Sequence, residues 1–128
     1  MDRKIVNTSE APSPFGPYSQ GVTLDGWIWT SGQVALDPES GKVVGLDAAS
    51  QADQTLRNIV AILKAGGSSL DRVVRATVYL TNMDDFAAVN AVYARYFPSV
   101  FPARVCVEVS RLPLGALVEI DVVAKIAA

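Results

Sequence analysis

The chain has 128 residues, half of them apolar, which is typical of one globular domain, so we expect residues 1–128 to form a single domain. Eleven basic and thirteen acidic side chains give a net charge of −2 without any basic run, so we expect no nucleic-acid partner. The first residues, Met1 to Asn7, are followed by no long apolar stretch, so we expect no signal peptide, no membrane partner and a cytoplasmic location.

The first third of the chain predicts three short strands joined by polar turns. Strand-like patterns cover Lys4–Asn7, Gly21–Leu24 and Trp27–Ala35, and the pair Asp25-Gly26 is typical of a tight hairpin between the last two. The stretch from Pro12 to Gly21 is rich in Pro, Gly and Ser and predicts an ordered loop.

Two helices and three further strands follow. Asp47 to Ala65 predicts an amphipathic helix, with Asp47 as N-cap, and Arg72 to Leu80 predicts a strand. A second helix ends before Pro98, and the strands Arg104–Ser110 and Val118–Ile126 complete the chain. The apolar residues that set the helical periods are Ala52, Leu56, Ile59, Val60 and Leu63 in the first helix, and Phe86, Val89, Tyr93 and Phe97 in the second.

The element order β-β-β-α-β-α-β-β predicts an α+β fold, in which two helices cover one face of a mixed β-sheet. Side chains alternate along a strand, so Val105, Val107 and Val109 point away from Arg104. We expect the valine rows to pack under the helices, which would leave Arg104 and Glu119 on, or at the rim of, the other face. That face would also carry Val123 and other apolar residues, so we expect a subunit contact to cover it.

Two absences limit the chemistry. The chain has no histidine, which excludes His-based triads, His-ligated metal sites and the usual near-neutral general base. It has one cysteine, Cys106, so no internal disulfide or Cys-rich zinc site can form. A mechanism without cofactor or metal is therefore the simplest expectation.

Several segments of the chain together match the pattern of one known protein family. Pro102-Ala103-Arg104 begins a stretch to Leu112 that, with Val118-Glu119-Ile120 after it, is similar to the family's C-terminal signature. Earlier family-like segments are Gly16-Pro17-Tyr18-Ser19-Gln20 and Ser31-Gly32-Gln33. Helical positions such as Asn90 also match. In order, and from about residue 4 to residue 126, the sequence resembles the RidA/YjgF family.

The resemblance implies a chorismate-mutase-like fold, a homotrimer with three clefts between subunits, and hydrolysis of reactive 2-imino acids or enamines to 2-keto acids and ammonia. It assigns Arg104 as the carboxylate anchor, Glu119 as a residue near the attacking water, and Tyr18 as a loop tyrosine of the cleft. Ser31, Gly32, Asn90 and Cys106 are the further cleft-lining candidates.

These residue types suit imine hydrolysis, because an imine is intrinsically reactive and needs orientation more than a strong nucleophile. A planar guanidinium holds a carboxylate by two bonds, which Arg104 can supply. Glu119, or backbone carbonyls near Arg104 and Cys106, can orient the water, and a carboxyl or the Tyr18 hydroxyl can pass a proton to nitrogen.

The alternatives are structural and functional. Glu119 could serve only as a structural ion-pair partner, Tyr18 as a subunit contact, and Cys106 as a small packing residue. The protein could also be a paralogue that acts on another imine or enamine. A third reading is a trimer that binds 2-keto acids without catalysis.

Overall fold

The computed structural model describes residues 2–127, which form one six-stranded sheet and two α-helices. The strands are β1 (Lys4–Val6), β2 (Gly21–Leu24), β3 (Trp27–Thr30), β4 (Val73–Leu80), β5 (Ala103–Glu108) and β6 (Val118–Lys125). The helices are α1 (Ala48–Ala65) and α2 (Phe86–Tyr96). Neither helix is long and apolar enough to span a bilayer.

The sheet is mixed and has the order β1-β2-β3-β6-β4-β5. Only β4 and β5 are parallel, because α2 provides the crossover between them, and all other neighbours are antiparallel. The expected hairpin joins β2 and β3, with Asp25 and Gly26 both at positive φ, as a two-residue turn of this hand requires. The predicted α+β architecture with two helices and a mixed sheet is confirmed.

The helix-covered face of the sheet contains the core. Val78, Ile120 and Val122 on the central strands are almost completely buried and belong to one cluster with Leu56 and Ile59 of α1. Asp47 is the N-cap of α1, as predicted, and its Oδ1 accepts a hydrogen bond from the backbone N–H of Ser50 at 2.8 Å. Val60, another apolar residue of the helical pattern, is 37% exposed and lies outside this core.

The opposite face, here named the open face, is not covered by any element among residues 2–127. It carries Trp29 of β3, Val105 and Val107 of β5, and Glu119 and Asp121 of β6. Trp29 is 42% exposed and the two valines are 37% exposed each. Large apolar side chains exposed on an uncovered sheet face are typical of a surface that contacts another protein chain.

The third strand ends earlier than predicted because a β-bulge interrupts its pairing with β6. Trp29 pairs with Val123 and Gln33 pairs with Ile120, so three residues of one strand oppose two of the other. The Thr30 hydroxyl accepts a hydrogen bond from the Val122 backbone N–H at 3.1 Å inside the bulge. Ser31 and Gly32 therefore lie outside the regular β3–β6 pairing, next to Glu119 of β6.

Candidate active site

The Pro/Gly/Ser-rich loop is ordered around one buried amide side chain, that of Gln20. Its Nε2 donates to the backbone carbonyls of Thr8 and Pro12, at 2.9 Å each, and its Oε1 accepts from the Thr8 N–H at 2.7 Å. Gln20 is 1% exposed, and these bonds satisfy its amide inside the protein. The loop before Gln20 is thus tied to the N-terminal segment, and it presents Tyr18 beside the sheet.

Tyr18, Ser31, Gly32 and Glu119 line one cavity of about 290 Å³, here named the glutamate cavity. Its remaining walls are Phe15, Val34 and Pro113. Tyr18, Ser31, Gly32 and Glu119 were all predicted from the sequence as site residues, and the structure brings these four together in this cavity.

The bulge and the loop orient these groups. The Ser31 backbone N–H donates to the carbonyl of Gln20 at 2.9 Å, and the Ser31 hydroxyl donates to the carbonyl of Ser19 at 2.5 Å. The Tyr18 ring stacks edge-on against Phe15, with ring centroids 5.7 Å apart, and the Tyr18 hydroxyl accepts from the Phe15 N–H at 3.3 Å. Tyr18 is nevertheless exposed at the mouth of the cavity.

Gly32 is required for the position of the Glu119 carboxyl group. A Cβ atom at residue 32 would lie 2.7 Å from the Glu119 Cδ and closer still to its Oε2. No real side chain can occupy that space unless Glu119 moves. The glycine therefore allows the carboxyl group to lie directly against the bulge of β3.

The Glu119 carboxyl is in an environment that disfavours its ionised form. Burial raises the pKa of Glu119, and the nearby carboxylate of Asp121, two residues along the same face of β6, raises it further. Burial also raises the pKa of Asp121, although the Tyr79 hydroxyl donates to its Oδ2 at 3.0 Å and opposes that change. A carboxyl group with a raised pKa is better suited to accept and return a proton near neutral pH.

Arg104 and Asn90 line a second cavity of about 320 Å³ between α2 and β5, here named the arginine cavity. The Arg104 Nη1 donates to the Asn90 Oδ1 at 2.8 Å. The guanidinium carbon lies 4.8 Å from the centroid of the Tyr93 ring and 5.6 Å from that of Phe86. The other lining residues are Ala94, Phe101 and Pro102.

The prediction that Arg104 lies on, or at the rim of, the face away from the helices was wrong. Arg104 is opposite buried Ala76 of β4, on the helix-covered face, whereas Val105 and Val107 point to the open face. Glu119 does lie on the open face, as predicted. The Arg104 and Glu119 side chains of one chain therefore point to opposite faces of the sheet and line separate cavities.

Cys106 follows Arg104 on the same side of β5 and packs against the core cluster. Burial raises the pKa of the Cys106 thiol, and the positive charge of Arg104 opposes that change without reversing it. A thiol with a raised pKa is less ionised and therefore less nucleophilic than an ordinary cysteine. This environment favours the packing role over a chemical one.

Sequence reasoning used Phe86 and Tyr93 only as apolar positions that mark the second helix, and it missed their contact with Arg104. Phe86, Asn90 and Tyr93 are spaced by four and three residues, so they share one face of α2. That spacing was available in the sequence as a sign of a common environment. Phe15, Val34, Phe101 and Pro113 were also missed, because loop contacts carry no periodic signal.

Comparisons with known proteins place the chain in a family. The model of the family described as Endoribonuclease L-PSP matches residues 8–126. A Bos taurus protein named 2-iminobutanoate/2-iminopropanoate deaminase is 49% identical over 95% of this chain and 89% of its own length. This chain is a member of the RidA/YjgF family. The resemblance drawn from its motifs is thereby confirmed.

Other RidA/YjgF relatives carry names that do not specify a reaction. A RutC family protein from Synechocystis is 48% identical over 97% of both chains. The solved structure of E. coli TdcF with bound serine has a TM-score of 0.92 and 38% identity, and covers 97% of this chain and 99% of its own. The fold of residues 2–127 is therefore that of a RidA/YjgF protein, and the family contains both named deaminases and members without a named activity.

Replacing Gly32 with alanine is expected to displace the Glu119 carboxyl group and to reduce any activity that depends on it. The added methyl group would occupy space that the carboxyl now fills. A crystal structure of Gly32→Ala should show a different Glu119 rotamer, while the melting temperature should fall by only a few degrees because the bulge lies at the sheet surface. An unchanged Glu119 position would contradict the proposed role of the glycine.

Proposed function

We propose that this protein hydrolyses 2-imino acids, such as 2-iminobutanoate and 2-iminopropanoate, to 2-keto acids and ammonia in the cytoplasm, and so removes reactive intermediates. The observation that carries the proposal is the environment of Arg104. Its guanidinium lies near the rings of Tyr93 and Phe86 beside a cavity of about 320 Å³, and among residues 2–127 only Asn90 forms a hydrogen bond with it. Its other N–H donors are available for a carboxylate, which a guanidinium binds by two parallel bonds.

The active unit in this proposal is a homotrimer in which the arginine cavity of one subunit meets the glutamate cavity of its neighbour. Arg104 and Glu119 of one chain lie on opposite faces of the sheet, so one chain alone cannot apply both groups to one small substrate. The exposed apolar side chains of the open face, Trp29, Val105 and Val107, support a subunit contact there.

The proposed reaction begins when Arg104 binds the substrate carboxylate and orients the adjacent C=N carbon. Water, held by Glu119 or by backbone carbonyls of the cleft, adds its oxygen to that carbon and forms a carbinolamine. The proton released by the water passes to Glu119, which returns a proton to the nitrogen. The carbinolamine hydroxyl then gives its proton to Glu119, which passes it to the nitrogen, and the C–N bond breaks with its electron pair going to the departing ammonia while the carbon keeps the oxygen as the carbonyl of a 2-keto acid.

The relatives support this reaction class without defining the substrate. The Bos taurus relative is named for the two imines above, and E. coli TdcF was solved with serine, a small molecule that carries a carboxylate and an amine on one carbon. The RutC family names specify no substrate, so they are also compatible with a paralogue that uses another imine or enamine. The residues around Arg104, rather than Arg104 itself, would determine that choice.

The test is a competition between this protein and a chemical trap. A threonine dehydratase generates 2-iminobutanoate in the presence of semicarbazide, and the semicarbazone is followed by its absorbance. We expect the protein to lower the initial rate of semicarbazone formation more strongly as its concentration rises, because the 2-keto acid product gives the same semicarbazone more slowly than the imine does. No effect at any concentration, with several imine-generating enzymes, would contradict the proposal.

Two other functions are distinguished by parallel measurements. A trimer that only binds 2-keto acids would bind 2-oxobutanoate in calorimetry but would leave the trap reaction unchanged. An endoribonuclease activity, suggested by the family description, would need attraction to a polyanion, which a net charge of −2 without a basic run does not provide. Incubation with single-stranded RNA should therefore leave the RNA intact.

Activity is expected to survive metal removal. The chain lacks histidine and has one cysteine, so it lacks the side chains that usually hold a catalytic transition metal. Extended dialysis against EDTA should change the rate by less than about twofold, with protein dialysed without chelator as the control. Loss of turnover that one added metal restores would contradict the proposed mechanism.

A further inference from the structure

One face of α2 holds the guanidinium of Arg104. Tyr93 contributes its ring at 4.8 Å, Phe86 its ring at 5.6 Å, and Asn90 its side-chain oxygen at 2.8 Å. Asn90 is four positions after Phe86 and three before Tyr93, so the three side chains lie on one face of the helix. Strand β5 supplies the cation, and among residues 2–127 α2 supplies its side-chain hydrogen bond and both aromatic rings found near it.

Tyr93 is the most buried of these three side chains. It is 6% exposed, whereas Phe86 is 39% exposed. The ring of Phe97, one helical turn further on, packs against the Tyr93 ring with centroids 4.6 Å apart. An aromatic ring fixed in this way is a stable base for a cation, and desolvation strengthens the attraction.

We propose that Tyr93 is a positioning residue that fixes the orientation of the Arg104 guanidinium, so that its free edge is ready to bind the substrate carboxylate. This inference rests on the proposed function. The five N–H donors of a guanidinium lie in one plane, so a ring against that plane leaves the donors free at its edge. Asn90 then occupies one Nη1 donor and sets the rotation within the plane.

Orientation matters because a carboxylate needs two parallel donors to be fixed. An arginine that samples several rotamers keeps its charge, but it loses side-chain conformational entropy when the substrate binds, and this loss weakens binding. Removing the ring should therefore weaken substrate binding and leave the charge in place. A role confined to core packing predicts a loss of stability without a specific loss of binding.

The decisive variants are Tyr93→Leu and Tyr93→Phe, with Tyr96→Leu as the matched control. Leucine fills apolar space without an aromatic face, whereas phenylalanine retains the ring. No group among residues 2–127 forms a hydrogen bond with the Tyr93 hydroxyl, so phenylalanine removes no such bond. Tyr96 belongs to the same helix, but its hydroxyl bonds to Asp53 of α1 and its ring is not against Arg104.

We expect Tyr93→Leu to reduce kcat/KM in the trap assay roughly tenfold, mainly through KM, and to weaken 2-oxobutanoate binding in calorimetry by a similar factor. Tyr93→Phe should restore both to within about twofold of the unmodified protein. Tyr96→Leu should lower the melting temperature and leave both unchanged. Equal losses in Tyr93→Leu and Tyr96→Leu, or no rescue by phenylalanine, would overturn the proposal.

A crystal structure of Tyr93→Leu separates this inference from the proposed function. We expect the Arg104 side chain to occupy more than one rotamer in the variant and a single rotamer in the unmodified protein. A single unchanged rotamer in Tyr93→Leu would overturn the positioning role, whatever the protein hydrolyses. If the unmodified protein fails to compete with the trap, the proposed function fails, while the rotamer comparison still tests Tyr93.

Discussion

Arg104→Ala is expected to remove nearly all imine hydrolysis and to leave the fold and its assembly in place. Loss of one partner from a desolvated charge pair costs about 2–5 kcal/mol, which is roughly a thirtyfold to several-thousandfold fall in catalytic efficiency. The loss should be large here because, among residues 2–127, Arg104 is the only basic side chain that lines either of the two cavities. The measurement is the semicarbazide competition on the purified variant.

Arg104→Lys should recover little of this activity. Lysine keeps the positive charge, but it offers a compact ammonium group instead of a planar pair of donors, so the carboxylate is no longer held by two parallel bonds. The contact of Arg104 with the Asn90 oxygen also depends on the reach and geometry of the guanidinium. Charge alone is therefore expected to be insufficient for efficient turnover.

Sizing and thermal melts of both variants provide the control for folding. Arg104 bonds Asn90 at a cavity wall rather than inside the core cluster, so we expect the melting temperature to fall by a few degrees at most. Full activity of a correctly assembled Arg104→Ala protein would refute the anchor role. Failure of Arg104→Ala to assemble would show instead that the arginine is structural.

The sequence predicted most of the secondary structure because the strongest signals are local. The N-cap at Asp47, the hairpin at Asp25 and Gly26, and the apolar row through Val118 and Ile120 all follow from neighbours within a few residues. The α1 bounds differ from the prediction by one residue at the start and by none at the end. Local periodicity is a reliable guide wherever one face of an element is buried by its own chain.

The face of Arg104 could not be predicted, because alternation shows which side chains share a row and not where the row points. Val105 and Val107 form the more apolar row of β5, which suggested that they lie beneath the helices. The structure has them on the open face, while the row of Arg104 and Cys106 lies under α2. An apolar row on an edge strand can be reserved for another subunit, and a single sequence does not distinguish this from core.

The bulge of β3 was also beyond sequence reasoning. Ser31 and Gly32 fall within the strand predicted from Trp27 to Ala35, and only the pairing of Gln33 with Ile120 shows that an extra residue is inserted. The resemblance to the family identified Ser31 and Gly32 as candidates, but it gave no reason for the glycine. The reason is the nearby Glu119 carboxyl group, which is distant in sequence.

The opposite orientation of Arg104 and Glu119 leads to the second major prediction, which concerns sites shared between subunits. If each site uses Arg104 of one subunit and Glu119 of the next, then Arg104→Ala removes the group that one subunit contributes to the site. Glu119→Gln removes the group that the neighbouring subunit contributes. Each variant alone should form an inactive trimer. A trimer that contains both kinds of chain would have one site in which both side chains are intact.

Mixing the two inactive variants is therefore expected to restore activity. Random exchange of equal amounts makes about three quarters of the trimers mixed, and one of the three sites in each is intact, so roughly one quarter of the activity of the unmodified protein should return. The chains should be dissociated and reassembled together, with each variant reassembled alone as the control. A double variant that carries both changes, mixed with the unmodified protein, should dilute activity without any restoration. If the mixture of single variants stays inactive although mass spectrometry detects mixed trimers, the two side chains do not act in a shared site, and the proposed assembly is wrong.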